Sequence, residues 1–139
     1  GYRIRIVDAV FEEIQSEQEH LEELVNDGHI KTLTLEGKAI TDTVATLLGL
    51  GLGSGESFSF AAAIEFEGAV AIDDRRAVKR VQSVSPNLKI LSTPDIVVAG
   101  INSQIISLEE ADLLKADWAE NHRFRLKLET FADLLEDRQ

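Results

Sequence analysis

Residues 49–74, GLGLGSGESFSFAAAIEFEGAVAIDD, constrain the fold more than any other stretch. A glycine-rich turn leads into a helical segment with apolar residues on more than one face, then into the apolar run 69–72, and ends on Asp73 and Asp74. A helix of that kind needs cover on several sides, and its alanines let neighbours approach closely. A short run that is apolar throughout reads as a central parallel strand, buried on both faces. Loop, helix and strand in this order are the grammar of an α/β fold, whose chemistry gathers at element ends. Glu56 falls at the start of the helix, and the two aspartates fall at the end of the strand.

The flanking sequence continues the alternation. Arg3 and Arg5 alternate with Ile4 and Ile6 in a predicted strand over 2–7. Asp8 is placed to cap a helix over 8–25, with Val10, Phe11, Ile14, Leu21, Leu24 and Val25 inward and Asp27-Gly28 as its stop. A second strand is expected over 29–35 and a helix over 37–48. Ser54 is placed to cap the apolar helix over 55–66. After the aspartates comes a basic helix with Arg75, Arg76, Lys79 and Arg80 outward and Ala77, Val78 and Val81 inward. A strand over 88–91 follows, then a helix opened by Thr93-Pro94 and a second opened by the capping box Ser107 and Glu110. A last helix over 122–135 would bury Phe124, Leu128, Phe131 and Leu134. The pattern predicts an α/β chain whose mainly parallel sheet is covered on both faces.

At 139 residues the chain reads as a single domain over 1–139. No window approaches the eighteen or so apolar residues of a membrane span, and the N-terminus lacks the form of a signal peptide, so a cytoplasmic protein with no membrane association is expected. There is no cysteine and no methionine, and the sequence opens on a strand already under way. Thiolate metal sites are excluded. The start of the domain is expected to lie upstream, in a longer polypeptide. A formal net charge of −11 argues against broad electrostatic binding of nucleic acid. Seven acidic residues of the excess lie between Glu12 and Asp27, where they read as a solvated helix face.

The glycine-rich loop fits no nucleotide-binding motif. A dinucleotide fingerprint started at Gly49 requires glycine where Ser54 stands, one started at Gly51 requires it where Glu56 stands, and a P-loop requires a lysine the loop lacks. The carboxylates point elsewhere. Mg²⁺ and Mn²⁺ prefer several converging oxygen ligands, and Glu13, Glu56, Asp73 and Asp74 each lie near an element end. The cluster Arg75, Arg76, Lys79 and Arg80 is placed to follow a phosphate backbone, or to form an ordinary solvated face. His20, His29 and His122 show no metal-ligand spacing, and Trp118 with the phenylalanines reads as core.

The phrases DAVFEEI (8–14), LGSGESFSFAAAI (52–64), GAVAIDDRRAVKRV (68–81) and LKILSTPDIV (88–97) resemble successive blocks of the PIN-domain family, in the branch with a Gly-Glu block and an Ile-Asp-Asp block. The resemblance covers residues 2–105. It implies a Rossmann-like three-layer α/β/α sandwich and a metal-dependent endoribonuclease, often the toxin of a toxin and antitoxin pair, with Mg²⁺ or Mn²⁺ as cofactor. By position Glu13 matches the family's second acid, Glu56 the third and Asp74 the fourth, with Asp73 a further ligand. The family's first acid lies on a strand that would precede Tyr2, so its counterpart is expected upstream. The partners implied are RNA, a protein antitoxin and a second copy in a homodimer. The alternative is a catalytically degenerate PIN-like module that binds a protein. A receiver-like phosphoacceptor at Asp73-Asp74 fits worst, because Lys89 lies within or before its strand instead of after it.

Overall fold

A computed structural model describes residues 3–136, which leaves Tyr2 of the first predicted strand outside the described residues. The strand β1 spans Ile4–Val7 and pairs in parallel with β2, Ile30–Leu33, from Ile4 opposite Ile30 to Val7 opposite Leu33. A parallel pair needs a crossover. Here it is made by two helices instead of the one predicted over 8–25: α1, Asp8–Glu13, and α2, Gln18–Asn26. Between Ile14 and Leu21 no apolar residue is available to hold a continuous buried face, and the chain breaks there with Glu17 in the left-handed region at φ 61°. Asp8 is the first residue of α1, not its cap, and its carboxylate accepts a hydrogen bond from the Thr34 hydroxyl.

The next helix, α3, spans Lys38–Gly49 and buries Ile40, Val44 and Leu47. Its C-terminus accounts for the glycine-rich loop. Gly51 adopts φ +86°, its amide donates to the Leu48 carbonyl, and the Leu52 amide donates to the Leu47 carbonyl. This is the paired bonding of a Schellman motif, with Leu47 and Leu52 both in the core beneath it. The chain then enters α4, Ser54–Glu65, which buries Gly55, Ser57, Phe60, Ala61, Ala62 and Ala63. Gly53, not Ser54, holds the cap position. The burial of α4 on several faces matches its composition.

β3, Ala69–Ala71, leads to α5, Arg75–Val84, and β4, Lys89–Leu91. α5 turns Ala77 and Val81 inward and leaves its basic residues exposed. β3 is not the central strand its apolar run predicts. Among the described residues it pairs only with β4, and its alternating faces leave Val70 buried and Ala69 and Ala71 exposed. Among the described residues the strands thus form two two-stranded sheets, β1–β2 and β3–β4. The chain is mixed α/β, with short strands interleaved with helices.

Two compact units divide the chain, Gly1–Ile90 and Leu91–Gln139. The first has a core of Leu47, Phe60, Ala61, Val70 and Val81 with their neighbours. The second contains α6, Thr93–Asn102, α7, Leu108–Asn121, and α8, Ala132–Glu136, around Val97, Val98, Ala111 and Phe131. Ser92 caps α6 where Thr93 is predicted to, because Ser92 and Asp95 can bond reciprocally. The Asp95 amide donates to Ser92 Oγ at 3.3 Å, and the Ser92 amide donates to Asp95 Oδ2 at 2.9 Å. The predicted pairing of Ser107 with Glu110 caps α7 in the same way.

The long last helix does not form. Residues 123–130, RFRLKLET, alternate with period two, and Phe124, Leu126 and Leu128 are part-buried while Arg123, Arg125, Lys127 and Glu129 are exposed. The segment is pinned at its far end by Asp112, which accepts from the Thr130 hydroxyl at 2.6 Å and from the Phe131 amide at 2.9 Å. Trp118 and Phe124 meet edge to face at 5.8 Å. Among the described residues no helix is long and apolar enough to cross a membrane.

Phe60 is fully buried, whereas Phe66, expected in the core, is 61% exposed just past the end of α4. Phe60→Ala should therefore lower unfolding stability by about 3–5 kcal/mol and Phe66→Ala by less than about 1 kcal/mol, as read from urea denaturation midpoints.

Candidate functional site

The clearest meeting of sequence-predicted residues lies at the N-terminal end of α4. That end presents backbone N–H groups without intrahelical partners and carries the positive pole of the helix. Glu56, in the first turn, folds back so that its Oε2 accepts from the Gly53 amide at 3.0 Å. The reciprocal half of a capping box is impossible because Gly53 has no side chain. The glutamate thus satisfies one free donor while its charge is stabilised by the helix end.

Glu13, the last residue of α1, reaches the same turn. A Cβ added to Gly55 would lie 2.5 Å from Glu13 Oε2 and 3.3 Å from Val10 Cγ2, closer than non-bonded atoms normally come. Gly55 is buried, so α1 and the Glu13 carboxylate pack directly against α4 backbone at the residue preceding Glu56. The absence of a side chain at Gly55 makes room for Glu13. Close backbone approach is a reason for glycine in the first turn of a helix, where it costs at most about 1 kcal/mol relative to alanine.

The two aspartates are placed differently. Asp74 is the N-cap of α5, its Oδ1 accepting from the Arg76 amide at 2.9 Å and the Ala77 amide at 3.2 Å. Asp73 is exposed beside it. Arg80, one of the predicted phosphate-holding residues, donates through Nη1 to the Gly51 carbonyl at 2.9 Å. It thereby ties the Schellman turn to α5. Arg75, Arg76 and Lys79 are exposed on the same helix. His20 lies 3.9 Å from Glu23 and His122 3.4 Å from Asp117, both as exposed pairs within the acidic surface.

As oxygen donors the four acids suit a hard divalent cation. Their arrangement does not: among the described residues no three His, Cys, Asp or Glu side chains gather closely enough to hold a metal ion. Glu56 and Asp74 each spend an oxygen on a helix end. By themselves these side chains do not form a divalent-ion site. Two residues were not singled out in the sequence. Gly55 could have been found by asking why a glycine stands in the first turn of an otherwise favourable helix. Ser57, fully buried with no hydrogen-bond partner for its hydroxyl among the described residues, carries no sequence signal beyond being a serine among apolar residues.

Comparison of the chain with protein-family models, with characterised proteins and with solved structures returned no match.

The contact between Glu13 and Gly55 can be measured as a coupling. Alanine at 55 should gain helix propensity, at most about 1 kcal/mol, where the glutamate has been removed and Val10 gives by a few tenths of an ångström. In a double-mutant cycle of Gly55→Ala and Glu13→Ala, urea denaturation should give a coupling of about 0.5–3 kcal/mol, with the double variant more stable than the single changes sum to.

Proposed function

We propose that this chain is a PIN-like ribonuclease of the toxin type, hydrolysing RNA phosphodiester bonds on a Rossmann-like α/β/α sandwich. The observation that supports this reading most is the placement of Glu13 on the turn that carries Glu56. The two acids are far apart in the sequence, yet they come to one end of a buried helix. In this reading Glu13, Glu56 and Asp74 are the catalytic acids. Together with Asp73 and a further acid they are the oxygen donors toward Mg²⁺ or Mn²⁺, the cofactor. RNA phosphates would run along α5 against Arg75, Arg76 and Lys79. Arg80 would have to release Gly51 to join them, so it contributes least. A protein antitoxin and a second copy of the chain are the partners that go with this function.

A second reading, a non-catalytic PIN-like module that binds a protein, is favoured by the use of Glu56 and Asp74 as helix-end acceptors. It also explains why three of the acids do not gather.

Incubation of the chain with single-stranded RNA in Mg²⁺ or Mn²⁺, and again with chelator, separates the two. The nuclease reading expects ion-dependent cleavage, slowed at least about a hundredfold by Glu13→Gln and by Glu56→Gln. Glutamine keeps a side-chain oxygen for the Gly53 amide, so both variants should melt with the parent. Equal cleavage by parent and Glu56→Gln would remove the acid from the mechanism, and no cleavage with either ion by a longer polypeptide that supplies the further acid would leave the binding module.

A further inference from the structure

The β1–β2 pair carries a charge pattern that the candidate site does not use. Its parallel register sets Arg5 opposite Lys31, and one place earlier Arg3 stands level with His29. Residues two apart along a strand share a face of the sheet, and paired residues of neighbouring strands point the same way. Arg3, Arg5, His29 and Lys31 therefore stand on one face, with the strands about 4.8 Å apart and the two rungs about 6.6 Å apart. All four are exposed, and with Ile4 and Gly28 they line a recess of about 380 Å³. No acid lines it. Gly28, at φ +80°, closes the turn after α2 and brings His29 to the start of β2.

Like charges directly opposite one another weaken a sheet. The chain has 25 acidic residues against 14 basic ones, yet among the described residues none of these four side chains is in an ion pair. An anion in the recess supplies the opposing charge. Three cationic side chains this close favour a ligand with several negative charges in a small volume over a single carboxylate, and guanidinium groups bond phosphoryl oxygens in pairs. We propose that this face binds a diphosphate group, free or carried by a nucleotide, with Arg3, Arg5 and Lys31 donating to its oxygens and His29 at its margin. The recess lies at the starts of β1 and β2, whereas α1, which carries Glu13, follows the end of β1. Binding there is independent of any cleavage of RNA by the acids at α4.

Calorimetric titration of the full chain in chelator, at fixed ionic strength, tests this with inorganic pyrophosphate, adenosine diphosphate and acetate. Pyrophosphate should bind at least about tenfold tighter than acetate. Equal binding of the two phosphates assigns recognition to the diphosphate alone, tighter binding of adenosine diphosphate adds the nucleoside, and both results support the proposal. Arg5→Glu and Lys31→Glu should each weaken pyrophosphate at least about tenfold, the loss of one charge-assisted contact. Without ligand both variants should melt no lower than the parent, because each turns a like-charged cross-strand pair into an opposite one. Lys127→Glu, at an exposed position in the second unit, should leave binding unchanged. Equal binding of acetate and pyrophosphate overturns the proposal, as does a lowered melting temperature in Arg5→Glu and Lys31→Glu or equal weakening by Lys127→Glu. Tighter binding of an RNA without terminal phosphates, lost in Arg5→Glu, also overturns it, since the face would then be a nucleic-acid surface. A longer polypeptide extended upstream of Gly1 should bind pyrophosphate as this chain does. Loss of binding there overturns the proposal, because the upstream segment would occupy the recess.

Discussion

The first ninety residues depend on the burial of α4. Its inward positions are glycine, serine and alanine apart from Phe60, so neighbouring elements approach its backbone closely and on several sides. Packing α1, α3, β1 and β3 against one helix places the chain's two strand pairs around it, although the strands themselves are only three or four residues long. Strands of that length supply few ladder bonds. The helix does what a wide sheet does in larger α/β proteins: it gives α1, α3, β1 and β3 a common surface to bury against. The same closeness delivers Glu13 to the turn of Glu56, so the core packing and the candidate site are two aspects of one contact.

Four helix starts are satisfied by side chains and one helix end by a glycine. Glu56, Asp74, Ser92 with Asp95, and Ser107 with Glu110 satisfy free amides at four starts, while Gly51 closes α3. Each such cap is worth about 1 kcal/mol. In an acidic chain this uses carboxylates where the helix poles attract them. It also sets up the competition at the candidate site, because an oxygen that accepts from a backbone amide offers fewer lone pairs to an ion.

Much of this was legible in residue order, and the failures have physical causes. α3, α4, α5 and the capping box of α7 follow from periodicity and turn chemistry with only small shifts at their ends. The predicted helix over 8–25 breaks because its apolar positions lapse between Ile14 and Leu21, a gap the averaged periodicity conceals. The last predicted helix forms only as Ala132–Glu136, because RFRLKLE before it has period two and cannot bury one helical face with Phe124 and Leu128. β3 was read as central from its apolar run, but a run of alanines and one valine does not say how many neighbours a strand has. For the candidate site, each acid could be placed at an element end. Which ends meet is a question of packing, and the one residue that answered it, Gly55, was visible but unexplained.

Gly55 gives the Glu13 contact a genealogical meaning. A side chain at 55 would push the carboxylate at 13 out of its place, so the two positions are coupled while that carboxylate stays packed against α4. Among descendants of this sequence, glycine at 55 should persist as long as the acid keeps that place, and once the acid is lost only Val10 has to give for alanine to enter. A lineage that kept the fold and abandoned the acid would then be recognisable from a single methyl group, without any assay of what it had ceased to do.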